Sequence, residues 1–141
     1  MRGYRDEIMA KTARKAAGDR AENLALEFLL GKGWRLLDRN WMCVHKELDL
    51  VMMGPDGLHV VEVRSRTVPA VIGALDSVDG KKAMKVYLAA MSYVRSHHLG
   101  DVCLSLDVVA LDFGQGGELL SMELHEGYIR HVFIDGRMSL I

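Results

Sequence analysis

The sequence predicts an α/β fold, a mixed sheet flanked by helices, with the element order αβββαββ. Two stretches carry apolar residues at helical spacing, near each end of the first hundred residues. Between and after them lie β-rich runs punctuated by glycine and proline turns. At 141 residues and 50% hydrophobic content, the chain has the size of one domain and enough apolar material to bury a core.

The first 17 residues carry Arg2, Arg5, Lys11, Arg14 and Lys15 against only Asp6 and Glu7. They read as a basic N-terminal arm, either a mobile solvated tail or an extension of the following helix, and residues 18–141 as the single domain. From Gly18-Asp19, the residues Ala21, Leu24, Ala25, Phe28 and Leu29 recur at i, i+3, i+4, i+7 and i+8 and form one helical face. Asp19 is a good N-cap and Gly31 or Gly33 a good stop. Trp34 to Met42 then reads as a first strand.

The hairpin is the clearest local feature. The runs 46–53 and 58–64 flank Gly54-Pro55-Asp56-Gly57, where Pro55 suits turn position i+1 and Gly57 position i+3. If Gly54 pairs with Gly57, Asp49 faces Glu62 and Glu47 faces Arg64, all on one side of the ribbon. Leu48, Leu50, Val61 and Val63 fall on the other side, toward core. After Asp76 to Asp79, the residues Ala83, Val86, Tyr87, Ala90, Met91 and Val94 mark a second helix. Residues 103–111 read as a strand, 118–124 as its return, and 128–134 as an edge strand.

Charge narrows the functional classes. There are 18 basic and 19 acidic residues, a net charge of −1, and a pI near 6.6, which excludes a histone-like protein. The balance is uneven along the chain. Through residue 96 there are 16 basic and 12 acidic residues (+4), and from residue 97 there are 2 and 7 (−5). Cys43 and Cys103 are too few for a disulfide scaffold and lack CxxC spacing. No apolar run approaches the roughly 20 residues of a membrane span, and Met1–Glu7 lacks a signal-peptide core. A cytoplasmic protein without membrane contact is expected. The six histidines show no HxxxH or HExxH ligand spacing, and Trp34 and Trp41 fit core packing better than base stacking.

The Asp49–Glu62 pairing is costly, because like charges directly opposed across a ladder repel. They need either a shared proton or a cation. A hard cation such as Mg²⁺ or Mn²⁺ resolves the conflict, and solvated surface charge with a simple Glu47–Arg64 ion pair is the competing reading. Glu22 lies beside the apolar stripe of the first helix and could join the pair. Asp19-x-x-Glu22 is also a capping-box pattern, and locally the cap is the better reading. Arg64, Arg66, Lys81, Lys82 and Lys85 make the middle of the chain basic, as phosphate contacts would require, although taken alone a solvated helix face is the better reading of the lysines.

In combination, Gly18-Asp19-Arg20-Ala21-Glu22, Arg39-Asn40, Glu47-Leu48-Asp49-Leu50-Val51, Val61-Glu62-Val63-Arg64-Ser65-Arg66, Ser77-Val78, Lys82, Lys85 and Leu106-Asp107-Val108-Val109 resemble the YraN-like family, an uncharacterised bacterial family with an endonuclease-like fold. The resemblance covers residues 18 to 112. It relates the chain to the PD-(D/E)xK nucleases and to Holliday-junction resolvase-like proteins, and implies a restriction-endonuclease-like αβββαβ core.

It also implies roles. Asp49 matches the metal-binding aspartate, Glu62 the (D/E), Glu22 the first-helix glutamate and Arg64 the motif lysine. Glu22, Asp49 and Glu62 would then hold Mg or Mn, with Arg64 also catalytic and Arg66, Lys82 and Lys85 contacting nucleic acid. Leu48 stands where a proline would precede the aspartate, and Lys46 where many members have glycine. Arg64 stays protonated and cannot act as a general base.

The implied activity is metal-dependent hydrolysis of DNA, with branched or damaged DNA as candidate substrate. The alternatives are a catalytically inactive nucleic-acid-binding module and a protein-interaction domain with vestigial carboxylates. Resolvase-like enzymes often act as dimers, so a homodimer is a candidate assembly, although the sequence carries no clear dimer signature.

Overall fold

A computed structural model describes residues 2–44, 46–69, 80–134 and 137–140. The elements run α1 (Arg2–Gly31), β1 (Arg35–Met42), β2 (Glu47–Gly54), β3 (Gly57–Thr67), α2 (Gly80–Ser96), β4 (Val102–Phe113), β5 (Leu119–Ile134) and β6 (Arg137–Leu140). The six strands form one sheet in sequence order. Among the described residues, the β3–β4 pair is parallel and the other four pairs are antiparallel. A parallel neighbour needs a crossover, and α2 supplies it. No described helix is long and apolar enough to cross a membrane.

Each helix closes one face of the sheet. Ala21, Ala25 and Leu29 of α1 pack with Trp34, Leu50, Met52, Val61, Val109 and Leu111. Val86, Ala89, Ala90, Tyr93 and Val94 of α2 pack with Val51, Leu58, Val60, Leu104 and Leu106. Successive β3 residues therefore alternate between the two cores, and buried contact on both faces explains the near-continuous apolar runs. Trp34 is buried in the α1 core and Trp41 packs against the α2 core, so both tryptophans are structural.

Helix α1 departs from the expected start. It runs unbroken through Gly18-Asp19, so residues 2–17 are helical and Asp19 is not an N-cap. One glycine costs about 1 kcal/mol in a helix, and the flanking Ala16, Ala17, Arg14 and Lys15 are good helix formers. The capping-box reading of Glu22 falls with it. At the other end Gly33 takes φ 89°, and Gly33 N and Trp34 N donate to Leu30 O and Leu29 O, closing the helix as expected.

The hairpin has the expected register, with Gly54 opposite Gly57 and Leu50 opposite Val61. Gly57 sits at φ 141°, and a Cβ there would lie 2.5 Å from the Cys103 carbonyl oxygen. Two expectations need correction. Leu48 belongs to the α2 core rather than joining Leu50 on the α1 side. The cause is a ladder that stops at Leu50–Val61, beyond which Asp49 Oδ2 accepts the Val63 amide at 2.9 Å. The side chain takes the place of a backbone partner and the alternation slips there.

The second correction concerns the C-terminal strands. Residues 119–134 form one strand rather than two, because Gly127, at φ 66°, absorbs a register shift opposite Leu106–Val108. A further strand, β6, pairs with its end, so residues 128–134 are not the edge. The expected helix-leading segment Asp76–Asp79, with Ser77-Val78, lies outside the described residues.

Candidate metal centre

The candidate centre lies where β2 and β3 part. Glu62 extends from β3 and is 1% exposed. Its Oε2 accepts from Lys46 Nζ at 2.7 Å and from an Arg64 terminal nitrogen at 3.1 Å. Its Oε1 is buried and has no hydrogen-bond partner, and neither has Arg64 Nε. Asp49 stands across the gap, fixed by the Val63 amide.

Glu22 reaches the same region from α1. Arg39 Nε donates to its Oε1 at 3.3 Å. Oriented to donate, the Asn40 amide lies 3.0 Å from both Glu22 Oε1 and Glu47 Oε1. Asn40 adopts φ 53°, a left-handed conformation that asparagine tolerates.

The electrostatics bear the mark of crowding. Burial pushes the Glu62 carboxyl above its ordinary range, and the charge of Asp49 adds to the rise. Burial likewise raises Asp49, against the opposing pull of the Val63 amide, Lys46 and Arg64. Glu22 is raised by burial and by Asp49, with Arg39 and Asn40 acting the other way. Each carboxylate thus carries the signature of a group short of positive charge, even with Arg39, Lys46 and Arg64 alongside.

The donor oxygens of Glu22, Asp49 and Glu62 are not all within 4.8 Å of one another; among the described residues the set that meets that distance is His59, Asp107 and Glu126. This second cluster occupies the α1 face. His59 Nδ1 lies 2.6 Å from Asp107 Oδ2 and its Nε2 lies 2.7 Å from Asp56 Oδ1. Both ring nitrogens meet carboxylates, so both donate. Burial pushes the imidazole down, but the bonds to Asp107 and Asp56 outweigh it and the net shift is upward. An imidazolium has no lone pair for a metal. Ser105 and the Gly127 amide also donate to Asp107, and Trp34 stacks on the ring at 4.0 Å. The cluster is a satisfied polar core. A cavity of about 170 Å³ opens beside it, lined by Asp56, His59, Cys103, Ser105 and Arg130 among others, and includes none of the three candidate ligands.

The expected nucleic-acid contacts are distributed differently. Arg66 forms a two-point ion pair with Asp112, at 2.7 and 3.2 Å, which holds Asp112 below the usual carboxylate range. Lys82 and Lys85 are exposed on α2, the helix that covers the sheet face toward which Glu62 and Arg64 alternate. Sequence reasoning did not place Lys46, Arg39 or Asn40 at the site. Lys46 was visible only as an unusual residue before Glu47, and its contact with Glu62 depends on the path of the chain into β2.

This six-stranded mixed sheet of the described residues, with one helix on each face and carboxylates where β2 and β3 separate, defines an α/β protein with a restriction-endonuclease-like core. The chain belongs to the uncharacterised protein family UPF0102, whose model matches residues 21–111. A UPF0102 protein of Pseudomonas putida is 46% identical over 105 residues, covering 74% of this chain and 85% of the relative. One of Pseudomonas entomophila is 46% identical over 109 residues, covering 77% and 88%. One of Stutzerimonas stutzeri is 47% identical over 83 residues, covering 59% and 69%. The matched segment contains Glu22, Asp49, Glu62 and Arg64.

Proposed function

We propose that the protein is a metal-dependent nuclease that hydrolyses DNA phosphodiester bonds, with branched or damaged DNA as its substrate. The observation that carries this reading is the buried, partnerless Oε1 of Glu62 beside Asp49. A buried carboxylate oxygen without a partner is expensive, and such an atom next to a second carboxylate fits a cation. All-oxygen donors suit Mg²⁺ or Mn²⁺ better than a softer metal.

Asp49 and Glu62 would hold the ion; the three carboxylates as placed do not share the reach of one ion, so Glu22 would join only by shifting toward them, and when bound the ion would supply Lewis acidity and an activated water. The protein's own groups do the remaining work. Val63 fixes Asp49 and Lys46 fixes Glu62, so the two donors are oriented before any cation arrives. Arg64 sets a guanidinium cation against Glu62, where its charge can offset charge that develops on a phosphate. Lys82 and Lys85 would engage the sugar–phosphate backbone.

The test is cleavage of a labelled four-way junction and a linear duplex with Mg²⁺ or Mn²⁺. Cutting by the wild type, lost in Glu62→Gln while DNA binding persists, is the expected result. No binding and no cutting under either metal overturns the reading. One observation favours a second reading: Arg39, Lys46 and Arg64 already place a cation beside Glu22 or Glu62, and arginine stands where the motif has lysine. Salt-sensitive DNA binding without cleavage under any metal would identify a nucleic-acid-binding module instead.

A further inference from the structure

Helix α1 is longer than its packing requires. Its buried residues are Ala21, Ala25 and Leu29, whereas residues 3–17 are exposed throughout. Some 15 residues at 1.5 Å each project about 22 Å past the packed segment. The direction of that projection matters, because Glu22 lies at the junction between the packed and projecting parts.

The helix period fixes which side chains share a face. At about 100° per residue, Lys15 and Lys11 each fall within about 20° of Glu22, two and three turns before it. Lys11 is also five turns before Leu29, and Arg14 is three turns before Ala25, so these cations continue the stripe that α1 presents to the sheet. Gly18 fills the intervening turn, and a Cβ there would meet nothing within 4 Å. None of the three cations makes an ion pair with a described residue. Glu7 lies on the same face beyond Lys11, and Asp19 lies at its flank, so the positive segment is bounded at both ends.

We infer that the projecting half of α1 is a backbone rail for the nucleic acid whose scissile phosphate sits at Glu22, Asp49 and Glu62. Lys11, Arg14 and Lys15 contact phosphates on one side of the cut. This inference rests on the proposed function and extends it to substrate class. Lys15 and Lys11 stand about 10 and 16 Å from Glu22 along the axis, which spans roughly three to five base-pair steps of a duplex. The occupant is therefore a duplex arm that continues away from the site, rather than a mononucleotide or a short single strand.

The experiment uses the full-length protein and fluorescence anisotropy with a labelled linear duplex and a labelled four-way junction, titrated across a range of salt. Replacing Lys11, Arg14 and Lys15 together by Gln is expected to weaken duplex binding. It should also lower the slope of log affinity against log salt by about 2 to 3. Arg5→Gln, about 100° around the helix from Glu22 and off the Lys11–Lys15 stripe, should leave both quantities near wild type. If the triple variant binds with wild-type affinity and slope, or if Arg5→Gln does equal damage, the rail is wrong and the nuclease reading survives. If the wild type binds neither DNA, the nuclease reading and the rail fail together.

Discussion

The behaviour of Glu62 follows from where its charge is placed. Desolvation makes the ionised form costly, and the cations that approach it engage one oxygen only. Asp49 shares the cost, and its folded-state pKa is likewise raised. The sign follows from linkage. A raised carboxyl binds more protons folded than unfolded, so stability declines as pH rises from the ordinary carboxylate range through the folded pKa. Asp49→Asn keeps an oxygen for the Val63 amide and removes the buried charge. In metal-free buffer at neutral pH its melting temperature should equal or exceed that of the wild type, with a flatter pH profile. A drop of several degrees would show that the Asp49 charge stabilises the fold.

His59 behaves in the opposite sense. Its raised pKa contributes stability that is complete below about 6.5, the ordinary imidazole value, and is lost as pH rises through the folded pKa. Asp107 is fully buried, and replacing His59 by Leu leaves its carboxylate without a counterion. The expected loss is about 3–5 kcal/mol, read by urea unfolding. A cost below about 1 kcal/mol would mean that Ser105 and the Gly127 amide alone satisfy Asp107.

Among the elements, the turn residues reach furthest. Pro55, Asp56 and Gly57 set the hairpin register, and that register ends at Leu50–Val61 and leaves Asp49 beside Glu62 and Val63 in the middle of β3. Gly57→Ala forces a Cβ against the Cys103 carbonyl at a φ that side chains avoid. It should cost at least about 2 kcal/mol by thermal or urea unfolding, and a neutral outcome would contradict the packing of this turn on β4. The hairpin was legible because its signals are local: period-two alternation, a proline, two glycines. The flip of Leu48 was not, since it depends on a side chain taking over a backbone hydrogen bond. The helical continuity across Gly18-Asp19 was also hidden, because a capping box and a helix interior are compatible with the same residues. The bulge at Gly127 and the pairing of β6 depend on contacts far apart in sequence.

For the molecule as a whole, the uneven charge acquires a spatial meaning. The basic first two-thirds supplies α1, the hairpin and α2, and so Glu22, Asp49, Glu62 and the cations beside them, while the acidic remainder supplies β4, β5 and β6. A net charge of −1 is thus an average over two different regions, and affinity for DNA should fade steeply with salt. The core and the Asp49–Glu62 neighbourhood could be derived from pattern alone. The expectation that Glu22 joins them came from resemblance, and the cations Lys46 and Arg39 emerged only from the folded chain.

The most direct measurement is calorimetric titration of Mn²⁺ into the wild type and Glu62→Gln, paired with thermal shift. The wild type should bind the ion and, at a hundredfold excess over Kd, gain about 2.7 kcal/mol of stability, while Glu62→Gln should show neither heat nor shift. Absence of binding by the wild type, or equal binding by Glu62→Gln, would contradict a metal centre built on Glu62.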